Sequence, residues 1–270
     1  MKSKPQILLT NDDGIESPGL WAAAEVLSAI GYVWVAAPRD QASSTGRSMP
    51  LSSDGRITVK QMRVNGQDWT VHAVGGSPAQ TVQHSILEIM DQPPDLVVSG
   101  INYGLNLGLA VTVSGTVGAT IEATTFGIPA LAVSLETDVS HFYTHSEEID
   151  FSSAAHFTAF FAKRLLAKDL SLGSRFFKVE VPANATPETP WKLARLSLDR
   201  YYVATSEETR DWDQPHQLGF YPRTDVENFT PGTDTYVCLA EHKVAVTPMD
   251  LDMTADVSFS QMQEQLSKPD

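Results

Sequence analysis

Cysteine is all but missing from this chain. Cys238 is the only one in 270 residues, which excludes an intrachain disulfide and fits a reducing compartment. Long apolar runs are missing too. Ile7, Leu8 and Leu9 give way at once to Thr10-Asn11-Asp12-Asp13. That is short of the ~7 apolar residues of a signal peptide and far short of the ~20 of a membrane span. The expectation is a cytoplasmic protein with no membrane partner. Positive charge is scarce: 19 Lys and Arg stand against 33 Asp and Glu, a formal net charge of -14. A protein that coats nucleic-acid polymers is therefore excluded, because such binding neutralises phosphates with cations. The scarcity is sharpest in mid-chain. No Lys or Arg occurs between Arg63 and Lys163, and no charged side chain of either sign from Leu96 to Ile121.

What is present is ordinary globular material, 42% hydrophobic, enough for one large domain or two modest ones. Gln6 to Thr10 reads as a buried strand, Leu20 to Ile30 as a helix opened by Ser17-Pro18-Gly19, and Tyr32 to Ala37 as a second strand. This β-loop-α-β unit is the building block of parallel doubly wound sheets. Ile57 to Val64 and Trp69 to Val74 flank Asn65-Gly66, a hairpin signal. A helix is expected from Pro78 to about Met90, a strand from Asp95 to Ser99, a helix from Gly115 to Phe126 and a strand from Ile128 to Ser134. An amphipathic helix from Phe151 to Ala167 and a strand from Phe176 to Val181 follow. After Pro182 the texture changes. Leu196 to Thr205 and Tyr236 to Thr247 read as strands, 206–235 as an irregular hairpin arm or lid, and Val257 to Leu266 as a terminal helix. The expected division is a catalytic core over 1–182 and a C-terminal extension over 183–270.

Two segments carry chemistry. Asn11-Asp12-Asp13-Gly14 ends the first strand, and ligands of open α/β sheets gather outside the carboxyl ends of strands. Adjacent carboxylates repel, and a hard divalent cation relieves that repulsion. The plainer reading is a turn, since Asn, Asp and Gly favour turns. Farther on, Ser99-Gly100-Ile101-Asn102-Tyr103-Gly104-Leu105-Asn106-Leu107-Gly108 leads to Ser114-Gly115-Thr116 at a helix start. Glycines, amides, hydroxyls and a helix N-terminus are the parts of an anion cradle. Its spacing matches neither a P-loop nor a dinucleotide fingerprint. Acidic pair and neutral cradle fit together if a metal at Asp12 and Asp13, with Asn102 as a neutral ligand, faces a phosphate in the loop.

With Ile7 to Gly14, Ala37-Pro38, Ser99 to Gly108, Ser114 to Val117, Pro129 to Ser134, Pro231 to Asp234 and Val246 to Pro248 in order, the chain resembles the SurE family of survival-protein nucleotidases. The resemblance implies a Rossmann-like three-layer α/β sandwich with a mostly parallel sheet. A C-terminal portion would exchange between subunits, giving homodimers or homotetramers. It implies a phosphomonoesterase that uses one Mg²⁺- or Mn²⁺-type ion on nucleoside 5′-monophosphates, with 3′-monophosphates and short polyphosphate as further substrates. By the same resemblance Asp12, Asp13, Ser43 and Asn102 are the metal ligands, with Ser44 one residue away as the alternative to Ser43. Asn106, Ser114, Gly115 and Thr116 are the phosphate contacts, and Asp12 or Asp13 takes the proton of the attacking water. Asp250 and Asp256 stand where relatives carry His, so no histidine role transfers there.

Two rivals remain at this level. A phosphatase that forms an aspartyl-phosphate usually needs Asp-x-Asp and a later lysine, and here the aspartates are adjacent. A nucleotide-sensing regulator on the same fold would bind without turnover. The seven histidines show no metal-binding pair motif; His141 and His145 read as surface or structural residues. Trp212, Phe220 and Tyr221 are candidates for base stacking or for interface packing, and Arg39 and Arg47 for phosphate contact or simple solvation.

Overall fold

Alternation along the first strand sets the layers. In the computed structural model β1 spans Gln6–Thr10, and its Ile7 and Leu9 face one apolar cluster while Leu8 faces another. β5, Leu96–Tyr103, repeats the pattern, with Leu96 and Val98 on one side and Val97 on the other. Strands buried on both faces belong to a sheet with helices on both sides. The residues described are 4–64, 66–146, 148–167, 175–206 and 209–268. Asn65 of the expected hairpin turn lies outside them.

Helices α1 (Pro18–Ser28) and α4 (Ser152–Ala167) cover one face, α2 (Pro78–His84) and α3 (Gly115–Thr125) the other. The remaining main strands are β2 (Tyr32–Pro38), β3 (Ile57–Val64), β4 (Gln67–Val74), β6 (Ala130–Leu135), β7 (Phe176–Val181), β8 (Trp191–Leu193) and β11 (Val244–Met249). They form one nine-stranded sheet in the order β3-β4-β2-β1-β5-β6-β7-β11-β8. From β4 through β7 every neighbour is parallel; β3 pairs antiparallel with β4, and β11 antiparallel with β7. The strand order reverses around β1, with β2 on one side and β5 on the other. That switch point opens a crevice at the carboxyl ends of β1 and β5.

Several elements differ from expectation. The helix from Pro78 stops at His84 and passes into a wider π turn over Ser85–Ile89. Its start is firm, because Ser77 and Gln80 cap one another's backbone N–H groups. β5 runs on to Tyr103, so half of the glycine-rich stretch is strand. Its register with β6 shifts between Ser99 and Asn102, an irregularity of the kind that re-aims a side chain. Of the strand expected over Leu196 to Thr205, only β9, Tyr202–Thr205, is strand. It pairs antiparallel with β10, Gly219–Pro222, in a hairpin within the irregular arm. The strand expected from Tyr236 is instead helix α5, Asp234–Leu239, capped by Thr233, and strand begins only at Val244. A short apolar run such as Val237-Cys238-Leu239 has no period that separates helix from strand. Residues beyond 182 add β11 and β8 to the same sheet, and α6, Phe259–Leu266, is the last helix of the described residues. No helix among the described residues is long and apolar enough to cross a membrane.

Candidate active site

The turn after β1 divides its labour. Asn11 and Gly14 close it: Asn11 Nδ2 donates to Gly14 O at 3.0 Å and Gly14 N to Asn11 Oδ1 at 3.1 Å. Gly14 holds φ +97, a backbone state that glycine adopts at little cost. Asp12 and Asp13 are thereby spared from turn-making. Both are buried, 4% and 1% exposed. Burial pushes the Asp12 carboxyl above its ordinary range, against hydrogen bonds from Thr116 and the backbone. Burial, then the neighbouring charge of Asp12, pushes Asp13 much higher, although the Tyr103 amide and Gln41 oppose the shift. No Lys or Arg of the described residues supplies either with a counter-charge.

Asp12 meets the start of α3. Thr116 Oγ1 donates to Asp12 Oδ1 at 2.6 Å, and the backbone at Gly115 and Thr116 favours the charged carboxylate. A Cβ at Gly115 would lie 2.8 Å from Asp12 Oδ2, so glycine is what lets the helix end come this close. The helix N-terminus expected to face a substrate anion therefore faces a protein anion first. Asn102 spends its Nδ2 on Gly104 O (2.7 Å) and Tyr103 O (3.2 Å). Among the described residues no hydrogen bond engages its Oδ1, and the side chain lies on the cleft wall. Ser43 and Ser44 both reach the same wall, Ser44 with φ +62. Their loop is tied to the acidic turn by Ala42 N donating to Asp12 O at 2.7 Å.

These side chains line one cleft of about 170 Å³ together with Asn106 and Ser114. Ser114 Oγ accepts from Val117 N at 3.1 Å, capping α3. The expected residues do not all reach the cleft. Asp13, Gly115 and Thr116 lie behind its surface; Asp13 is held by Gln41 Nε2 (3.1 Å) and Tyr103 N (3.3 Å). The loop amides also point elsewhere than expected. Asn106 N donates to Glu180 Oε2 at 2.8 Å and Gly108 N to Asp234 Oδ2 at 3.0 Å, both inward. Arg47 is spent on Glu122 (2.6 Å) and Arg39 on Asp40 and Asp54 (3.0 and 3.1 Å).

Sequence reasoning missed the mouth. Phe142 and Phe220 stack at 6.4 Å between ring centroids, with Tyr202 edge-on to both. Phe220 was a candidate; Phe142 and Tyr202 were not. Gln41 Nε2 also donates to Phe142 O at 2.7 Å, and His145 Nε2 pairs with Asp13 O at 2.7 Å. The loop carrying Phe142 is thus pinned to the acidic turn at two points. Nothing in the local sequence around Gln41 or His145 signals this. Trp212 and Tyr221 do not line the cleft.

The donor set fits a hard divalent cation. Two buried carboxylates without a counter-charge sit beside an uncommitted amide oxygen and a serine hydroxyl, all neutral or anionic oxygens. Among the described residues no group of three or more His, Cys, Asp or Glu side chains is placed to hold a metal ion, so the carboxylates here number two and the other oxygens are neutral.

Comparison with known proteins identifies the relatives of this chain. The family model "Survival protein SurE" matches residues 7–203. A protein of Thermococcus kodakarensis named "5′-nucleotidase SurE" is 41% identical over 261 residues, covering 97% of this chain and 98% of the relative. One of the same name from Archaeoglobus fulgidus is 40% identical over 256 residues, 94% of each chain. Among solved structures, the SurE protein from Aquifex aeolicus superposes with a TM-score of 0.75 at 29% identity, over 97% of this chain and 100% of that one. The family-model match over 7–203 and the near-complete coverage of both partners in the relatives and the solved structure identify the chain as a member of the SurE family.

Proposed function

We propose that this chain is a 5′-nucleotidase that releases phosphate from nucleoside monophosphates with the help of one divalent cation of the Mg²⁺ or Mn²⁺ type. The observation that carries the reading is the buried Asp12–Asp13 pair without a counter-charge, at the switch point of the sheet. The name shared by its curated relatives supports it.

Asp12, Asp13, Asn102 and Ser43, or Ser44 in its place, would hold the cation. When bound, it supplies positive charge to a phosphate oxygen and makes a water more acidic. Everything else falls to side chains of the chain itself. Of the two carboxylates Asp12 is the one on the cleft wall, which supports it as the group that takes a proton from the attacking water. Thr116 holds Asp12 Oδ1 and so orients the carboxylate. Ser114 and the Asn106 side chain line the wall as neutral hydrogen-bonding groups for phosphate oxygens. Phe142, Tyr202 and Phe220 at the mouth offer ring faces and edges to a nucleobase. Such stacking tolerates different bases. The same open mouth admits a 3′-monophosphate or the end of a short polyphosphate.

In this reading 1–182 is the catalytic core and 183–270 the segment that joins subunits. Exposed apolar side chains on α6, including Phe259 at 67% and Leu266 at 79%, support a homodimer or homotetramer with an exchanged arm. A single cysteine fits a cytoplasmic site.

The test is phosphate release from AMP, GMP and their 3′-isomers by purified protein with Mn²⁺ or Mg²⁺. Turnover of a nucleoside monophosphate is the expected result. Tight nucleotide binding without any phosphate released at high protein concentration would replace the enzyme with a nucleotide sensor.

A further inference from the structure

Beneath the cleft lies an ion cluster with no solvent contact. Lys178 Nζ stands 2.8 Å from Asp234 Oδ2 and 3.3 Å from Glu180 Oε1, and all three side chains are fully buried. Lys178 and Glu180 are two apart on β7, so they share a face of the sheet. Asp234 opens α5, in the C-terminal segment. Burial works against the Lys178 charge, but the two carboxylates outweigh it. One cation cannot neutralise two anions. What completes the balance is backbone N–H, and it comes from the cleft loop. Glu180 Oε2 accepts from Asn106 N at 2.8 Å, and Asp234 Oδ2 from Gly108 N at 3.0 Å. Ser134 Oγ relays a third contact, accepting from Asn106 Nδ2 at 3.0 Å and donating to Glu180 Oε1 at 3.4 Å. Asp234 Oδ1 meanwhile holds Ser197 N at 2.9 Å.

A buried ion cluster is weak evidence for stability, because desolvation offsets most of the attraction. Its geometry is the more telling feature. Asn106 is held through both its main chain and its side chain, and its side chain lines the cleft. We propose that the Lys178–Glu180–Asp234 cluster is a positioning device for the reaction, which fixes Asn106 against the substrate phosphate and ties that position to the C-terminal segment through Asp234. The role rests on the nucleotidase reading above. Glu180 and Asp234 touch no substrate and act through Asn106 and Gly108. A loop fixed by charge before substrate arrives needs no reordering on binding, which is where such positioning gains rate.

Glu180 is the informative target, since its loss leaves Lys178 and Asp234 as a neutral pair. The experiment is a double-mutant cycle of Glu180→Ala with Asn106→Ala, read by kcat/KM for AMP and by Tm. Glu180→Ala alone is expected to lower kcat/KM on the order of 10- to 100-fold. In the Asn106→Ala background it should lower kcat/KM less than about threefold although it still lowers Tm. Glu180→Gln keeps an oxygen for the Asn106 N–H and should recover most of the activity. Equal kinetic losses in both backgrounds, or normal kinetics in Glu180→Ala, overturn the positioning role while leaving the nucleotidase reading intact. If Glu180→Ala fails to fold, Asp234→Asn takes its place in the same cycle, because it keeps Lys178 paired with Glu180. Wild-type protein that releases no phosphate from any nucleotide overturns the nucleotidase reading and this proposal together.

Discussion

Thr116 donates its hydroxyl to Asp12 Oδ1 at 2.6 Å across 104 positions of sequence. The bond joins the turn after β1 to the start of α3 and leaves Asp12 Oδ2 as the oxygen closest to Gly115. Hydrogen bonds to charged groups contribute about 1.5–3 kcal/mol. Thr116→Val preserves shape and removes only this bond. Its kcat for AMP should fall about 10- to 100-fold with the fold intact, and Asp12→Asn should fall further. Near-normal kcat in Asp12→Asn would remove Asp12 from the proton-taking role.

Metal removal should affect stability as well as rate. A cation held by Asp12 and Asp13 would relieve the burial of two like charges, so it would favour the folded chain and raise Tm by mass action. Dialysis against EDTA should abolish phosphate release and lower Tm, and added Mn²⁺ should restore both. In Asp13→Asn the Tm rise with Mn²⁺ should shrink or vanish. Phosphate release unchanged after thorough chelation would exclude the cation.

Gly104 shapes the mouth. It holds φ +87, and a Cβ there would lie 2.3 Å from the Phe142 ring. Gly104→Ala should cost about 1–2 kcal/mol from the left-handed backbone alone and also push Phe142 out of its stack with Phe220. KM for AMP is expected to rise severalfold in Gly104→Ala and in Phe220→Ala, with little change for ribose 5-phosphate, which has no base. Aromatic pairs contribute about 0.5–1.5 kcal/mol, or up to roughly tenfold. Equal KM changes for both substrates would show that the rings do not meet the base.

Lys178→Met should destabilise the fold by about 3–5 kcal/mol near neutral pH, because it leaves two buried carboxylates unpaired. Burial already holds Glu180 above the usual carboxylate range, with Lys178 opposing it. Without the lysine both folded pKa values rise above the unfolded value of about 4. The folded variant then binds protons more tightly than the unfolded chain. Its deficit is full above the raised pKa values and shrinks as pH falls through them. Urea unfolding at pH 8, 6.5 and 5 should show the gap to wild type narrowing toward pH 5. A constant or widening gap would contradict an ionised cluster.

Local pattern carried much of this fold in plain view. Ile7-Leu8-Leu9 buried on both faces, Ser17-Pro18 opening a helix and Gly115 to Thr125 following a glycine-rich stretch are short-range signals, and the structure has each of them. The same holds for the acidic turn, where Asn11 and Gly14 reveal why Asp12 and Asp13 are not needed to make it. Where runs were short, at Val237 to Leu239, period alone failed to separate helix from strand.

By itself, then, the amino-acid sequence determined the layered α/β class, the acidic pair, the charge-free loop and membership of a family. Tertiary structure alone decided what each group faces. Strand order brings the ends of β1 and β5 together, and the register shift in β5 falls between Ser99 and Asn102. Burial of α3 against Asp12 turns its N-terminus toward a carboxylate of the protein. Folding also brings Lys178 beneath the loop from a later strand, already neutralised by Glu180 and Asp234, and no local pattern announces that. Sequence neighbours share a local conformation, but charges meet through the sheet, and only its order and register fix which ones do.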